Sequence, residues 1–234
     1  MTGAPGPRPL VLSAPSGAGK TTIARRLVDS DPQFVFSISA TTRPPRPGEV
    51  HGVDYEFLEE PEFRRWIERD ELAEWARVHD RFYGTPRRAL AAAADNGCHA
   101  VLDIDVQGAR QISERIPSAL LVFVLPPSAD EWIDRLRGRG TEAEEEVQRR
   151  LRSALEELDA VSEFDAVVVN DDLDVAVERV GALAKDGSGP GTPGRSPDDP
   201  EMADLVNKLR QGAVAMLENS ASLPSDSTAT GANP

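Results

Sequence analysis

Short apolar runs alternate with stretches of helical periodicity along most of this chain. Residues 9–13, 34–39, 99–104, 120–125 and 166–169 are predominantly apolar and too short for helices, so each is a candidate buried strand. Between them, apolar residues recur three and four apart. This predicts a helix from a glycine-rich turn to about residue 29, and others over 87–96, 106–114, 128–137, 142–161 and 173–184. Apolar strands separated by helices describe an α/β fold with a parallel sheet covered on both faces. Residues 50–85 break the rhythm. Val53, Tyr55 and Phe57 alternate with polar neighbours and a helix is expected near 60–69, so this stretch reads as an α+β insertion.

The two ends read differently. Residues 1–8 form a proline-rich, disordered lead-in, and 187–198 are a flexible linker by their glycine, serine and proline content. Asp199 followed by Pro200 opens a short amphipathic helix over 199–219. Met202, Leu205, Val206, Leu209, Val214, Met216 and Leu217 share its apolar stripe. The expectation is a solvated appendage, followed by a disordered tail over 220–234.

Composition narrows the functions. The 234 residues carry 40 acidic and 26 basic side chains, a net charge of -14, which argues against bulk nucleic-acid binding. No run approaches the roughly 20 apolar residues of a membrane span, and the first residues lack the apolar core of a secretory signal. Cys98 is the only cysteine, so an internal disulfide or thiolate metal cluster is excluded, and a reducing cytoplasm is expected. His51, His79 and His99 have no ligand spacing. Lys20 is the only lysine before Lys185, in a chain that otherwise uses arginine.

That lysine sits in the strongest motif. Ala14, Pro15, Ser16, Gly17, Ala18, Gly19, Lys20 and Thr21 stand where a strand hands over to a helix that continues through Thr22. Backbone N–H groups of such a loop form an anion nest at a helix N-terminus. Lys20 would reach the β- and γ-phosphates of a nucleotide, and the Thr21 hydroxyl would ligate Mg²⁺. Asp103, ending a buried strand, would hold the Mg²⁺ directly or through water. Ala14 replaces the glycine that usually opens this pattern. Farther on, Arg43 and Arg46 are three apart on a prolyl backbone, which puts both guanidinium groups on one side, about 9 Å apart, suited to a phosphate dianion. The same residues also satisfy a proline-rich recognition pattern. Arg135, Arg137 and Arg139 surround Gly138 and Gly140 between two predicted helices, as a swinging loop would require, with Thr141 and Glu144 fitting a capping box.

Taken together, the ordered segments at 13–20, 37–49, 52–55, 74–76, 83–85, 102–108, 139–142 and 168–171 resemble the guanylate kinase family over residues 9 to about 185. Similar members also carry alanine at the Ala14 position. The resemblance implies a three-layer P-loop kinase with a GMP-binding insert at about 39–86 and a helical lid at about 135–155. It implies transfer of a phosphoryl group from Mg²⁺–ATP to GMP. Arg43, Arg46, Tyr55 and Tyr83 would surround the acceptor phosphate, with Glu49 holding the arginine loop. Glu74 would select guanine, with Ser39, Thr85 and Asp105 completing the base pocket. Arg135, Arg139 and Arg150 would meet the transferring group, and Asn170 would lie near the ATP adenine. A kinase for another acceptor and a silent scaffold of the same fold stay open as alternatives, as does homo-oligomerisation.

Overall fold

Alternate residues of a strand point to opposite faces, and here each face finds its own cover. Leu10, Leu12, Val101, Leu120, Val122, Val124 and Val168 pack one way, while Val11, Leu102, Leu121, Phe123 and Val167 pack the other. The structure, a computed structural model, describes residues 6–78, 80–138, 144–186 and 194–221. Its strands in chain order are β1 (Leu10–Ser13), β2 (Phe34–Phe36), β3 (Ala40–Thr41), β4 (Glu56–Phe57), β5 (Leu72–Val78), β6 (Arg81–Pro86), β7 (His99–Asp103), β8 (Leu120–Leu125) and β9 (Ala166–Val169). The helices are α1 (Lys20–Ser30), α2 (Glu60–Glu68), α3 (Arg87–Asp95), α4 (Val106–Arg115), α5 (Ala129–Arg137), α6 (Glu144–Leu158), α7 (Leu173–Asp186) and α8 (Pro200–Ala221).

The main sheet is parallel throughout, with order β2-β7-β1-β8-β9. Helices α1 and α7 cover one face; α4, α5, α6 and α8 cover the other. The chain leaves β1 toward β2 but crosses from β7 to β8 on the opposite side of β1. That reversal opens a crevice at the carboxyl ends of β1 and β7, where Ser13 and Asp103 stand. The insertion forms a second sheet of order β4-β3-β6-β5, with its own core of Ala40, Phe63, Trp66, Leu72 and Phe82.

Two expectations need correction. The strand over 34–39 ends at Phe36. The Ser37 N–H makes a last bond to Val101 O (2.9 Å), after which the chain enters the second sheet at Ala40. Alternation of polar and apolar residues survives this change of sheet, so the sequence pattern does not register it. Nor is the C-terminal helix a solvated appendage. Met202, Leu209, Ala213 and Met216 are buried in the same core as Trp132 and Leu151, whereas Val214 faces outward. Its start is as read: Asp199 Oδ1 accepts the Glu201 N–H (2.9 Å), and Pro200 is the first helical residue. Ser128 likewise caps α5 by accepting the Glu131 N–H. The expected lead-in, linker and tail fall largely on 1–5, 187–193 and 222–234, outside the described residues.

Phe63 is fully buried and stacks on Phe82, with ring centroids 5.4 Å apart. Phe63→Ala leaves the small sheet with a cavity, so urea unfolding should report a loss of about 3–5 kcal/mol. A loss under about 1 kcal/mol would show that this core does not unfold with the rest.

Candidate active site

The loop leaving β1 turns back on itself through Ala18 N–H to Pro15 O (3.0 Å). Gly17 and Gly19 adopt φ of 87° and 93°, a region that strains residues with a side chain. At Gly19 there is also no space, since a Cβ would stand 2.4 Å from Asn170 Nδ2. Residues 14–22 line one cavity together with Asp103 and Glu157. Lys20 Nζ lies 2.7 Å from Asp103 Oδ1 and donates to Ile104 O at 2.9 Å. Asp103 and the exposed Thr21 thus present hard oxygen ligands on the same wall, a donor set that fits Mg²⁺ completed by phosphate oxygens and water.

An adjoining cavity of about 310 Å³ brings Lys20, Thr21 and Asp103 together with Ser39, Tyr55, Glu74, Tyr83 and Asp105. Glu74 is 3% exposed on β5. The Thr85 hydroxyl donates to its Oε1 at 2.7 Å, and Gly108 packs against Oε2, where a Cβ would stand only 2.8 Å away. Asp105 caps α4 by accepting the Gly108 N–H (2.8 Å). Burial, reinforced by the charge of Asp105 and opposed by the Thr85 hydrogen bond, pushes the Glu74 carboxyl up to about 7.

The arginine loop borders this cavity without lining it. Arg43 meets Glu49 through two bonds, Nη1 to Oε2 (2.9 Å) and Nη2 to Oε1 (2.8 Å), and lies 5.3 Å from the Tyr55 ring. Glu49 also accepts the Arg46 N–H (2.6 Å). These bonds hold its carboxyl at about 2. Tyr55 and Tyr83 stand edge to face at 6.3 Å, linking the loop to the cavity. The Arg46 residue is exposed.

Helices α5 and α6 converge on Ser16. Arg150 Nε donates to Ser16 Oγ (3.1 Å), Trp132 Nε1 donates to Ser16 O (2.7 Å), and the Ser16 N–H donates to Glu157 Oε2 (3.1 Å). Burial pushes the Glu157 carboxyl up to about 6. Arg135 reaches the carbonyl of Asn170 (3.3 Å). The buried Asn170 side chain donates to Ala18 O (2.8 Å), so it holds the loop from behind. Arg139 and Thr141 lie outside the described residues.

Sequence reasoning missed the residues that act on backbone atoms. Gln111 on α4 accepts the Trp75 N–H (3.2 Å) and donates to Trp75 O (2.7 Å). Arg115 donates to Leu72 O and Ala73 O (3.3 and 3.2 Å). Together they satisfy the open edge of β5 on both sides of Glu74. The available signal was spacing alone: Gln111 is three residues after Gly108, on the same helix face. Glu157 and Trp132 had no local signature. Arg25 and Asp54, 3.6 Å apart, also line the cavity and were not anticipated.

Comparison with known proteins bears on this geometry. The family model described as guanylate kinase matches residues 6–186. The chain belongs to the guanylate kinase family. It is 48% identical over 174 residues to the guanylate kinase of Caldanaerobacter subterraneus subsp. tengcongensis, covering 74% of this chain and 84% of that one. With the Gloeobacter violaceus guanylate kinase, identity is 51% over 181 residues, covering 77% and 88%. The crystal structure of guanylate kinase from Anaplasma phagocytophilum superposes with a TM-score of 0.65 at 32% identity, covering 83% of this chain and 92% of that one. Family membership makes the chain a kinase of the nucleoside monophosphate class, on the P-loop α/β fold the sequence implied. Among the described residues, no helix is long and apolar enough to cross a membrane.

The folded protein keeps the Glu74 proton to about pH 7, while an unfolded chain releases it near 4.5. Stability therefore falls as pH rises between those values and levels off above them. Glu74→Gln has no such proton, so its stability relative to the parent should rise across that window in urea unfolding. A difference that stays flat from pH 4.5 to 7 would refute the shift.

Proposed function

We propose that this chain transfers the γ-phosphoryl group of Mg²⁺–ATP to GMP, and to its deoxy form, giving ADP and GDP or dGDP. The observation that carries the reading is the shared cavity: a buried carboxylate, Glu74, opens onto the same space as Lys20, Thr21 and Asp103. Guanine presents a ring N–H and an exocyclic amine side by side. A carboxylate accepts both, whereas adenine offers a lone pair at the ring position and is repelled. Ser39, Thr85 and Asp105 complete the base pocket, with residues of about 39–86 as the acceptor-binding part.

Residues 14–22 and Lys20 hold the donor phosphates. Thr21 and Asp103 would hold Mg²⁺ together with the donor's own oxygens, and the ion would supply positive charge to the donor phosphates. Arg43, Arg46, Tyr55 and Tyr83 orient the acceptor phosphate, and Glu49 fixes Arg43 in place. That phosphate is largely dianionic near neutrality, so its oxygen attacks phosphorus without a general base. Arg135 and Arg150, joined by Arg139, stabilise the equatorial oxygens of the transferring group from a lid spanning about 135–155. Asn170 serves the donor site by bracing the loop. Gly19, Lys20, Thr21 and Asp103 are all present, which favours turnover over a silent scaffold. We put the enzyme in the cytoplasm, in keeping with its one cysteine.

A coupled assay across the common nucleoside monophosphates tests the reading. GMP should exceed AMP by roughly 10⁴ in kcat/KM, the discrimination available to paired buried hydrogen bonds. GMP turned over no better than AMP or UMP would overturn it. Gly108→Ala pushes a methyl into the Glu74 carboxylate, so KM for GMP should rise about tenfold, the net worth of one to two hydrogen bonds. KM for ATP should stay within about twofold. An unchanged KM for GMP would remove Glu74 from base recognition.

A further inference from the structure

Residues 194–221 lie beyond the part of the chain that the family model matches, yet they are built into the footing of the lid. Arg195 exchanges two backbone hydrogen bonds with Val167 (2.8 and 3.0 Å), which fixes the entry to α8 against β9. Helix α8 then packs across α5 and α6. Leu209 and Ala213 are fully buried there, in one cluster with Trp132 and Leu136 of α5 and Leu151 and Ala154 of α6. Gly212 lies tight against α5: a Cβ at this position would stand 2.4 Å from the Cβ of Ala129, the first residue of that helix. Arg210 binds Asp159, just past the end of α6, at 2.7 Å. Helix α8 therefore grips the first turn of one lid helix and the end of the other, the two points where the lid joins the sheet.

The same two helices also hold the phosphate loop. Trp132 and Arg150 bond Ser16, and Arg150 also donates to Leu136 O at 3.2 Å, tying α6 to the end of α5. The lid helices are thus held by the loop and by α8 together. An arginine that stabilises a transferring phosphoryl group must be placed to within about half an ångström, and an error of about 1 Å costs on the order of 10²-fold in rate. We propose that the buried face of α8, centred on Leu209, Gly212 and Ala213, is a positioning element for phosphoryl transfer that sets where Arg135 and Arg150 stand relative to the cradle. This rests on the phosphotransferase reading above. None of these α8 residues touches either nucleotide site, so acceptor binding is independent of them.

Gly212→Leu in the full-length chain tests the proposal, because no side chain fits at that contact. At saturating ATP and GMP, kcat should fall by about ten- to a hundredfold. The GMP dissociation constant, measured by calorimetry without ATP, should stay within about twofold of the parent. Should Gly212→Leu fold poorly, a smaller pair decides. Gly212→Ala should lower kcat several-fold, and adding Ala129→Gly, which restores the missing space, should recover most of the loss. Three results overturn the proposal: unchanged kcat in Gly212→Leu, GMP affinity falling in parallel with kcat, or no recovery in the paired variant. A parent chain unable to phosphorylate GMP sinks the earlier reading, whereas a competent parent matched by an equally competent Gly212→Leu sinks this inference alone.

Discussion

A loop that offers backbone N–H groups to an anion can use few of them to hold itself together, and here Ala18 N–H to Pro15 O is an internal bond. The segment between β1 and α1 resolves this by being held from outside. Asn170 takes the carbonyl of Ala18, Trp132 takes that of Ser16, and Arg150 and Glu157 take the hydroxyl and N–H of Ser16. Lys20 is drawn down to Asp103 and Ile104. The buttresses come from four parts of the chain, and β7, β9, α5 and α6 must all be in place before the cradle has its shape. The order of the parallel sheet is what brings their ends to one crevice.

The pocket around Glu74 obeys the same logic with the charge reversed. A carboxylate taken out of water has to be given partners, and an edge strand that carries it has to be given a neighbour. Helix α4 does both. Asp105 caps its first turn, Gly108 clears room for Glu74, and Gln111 and Arg115 stand in for the strand that β5 lacks on its open side. The two halves of the site therefore share one rigid piece, since α4 also follows directly from Asp103 at the end of β7.

The parallel core was legible in the sequence because both faces of its strands are buried, which leaves runs such as residues 120–125 with no polar residue at all. The cradle was legible because its spacing carries its own mechanism. Glu74 was not: alone, it is a glutamate beside Trp75, and its character comes from Gly108 and Thr85, residues distant in sequence. Only the likeness to a family pointed to it. Ser16's partners were invisible for a related reason, as a hydrogen bond to backbone leaves no pattern in the partner's residue type. For α8 the apolar stripe was readable, but not what would cover it. A tight contact there is made at Gly212, which contributes nothing to hydrophobic periodicity, and Val214, which does, points away.

The pairing of Arg195 with Val167 reaches beyond the lid. Strand β9 is the last of its sheet, and its sequence of one alanine and three valines is the kind that recruits further strands when its rim is bare. By occupying both backbone hydrogen-bonding groups of Val167, the returning segment sets a charged residue on the rim. The same few residues that lead into α8 thus also cover part of the sheet edge that β9 would otherwise leave bare.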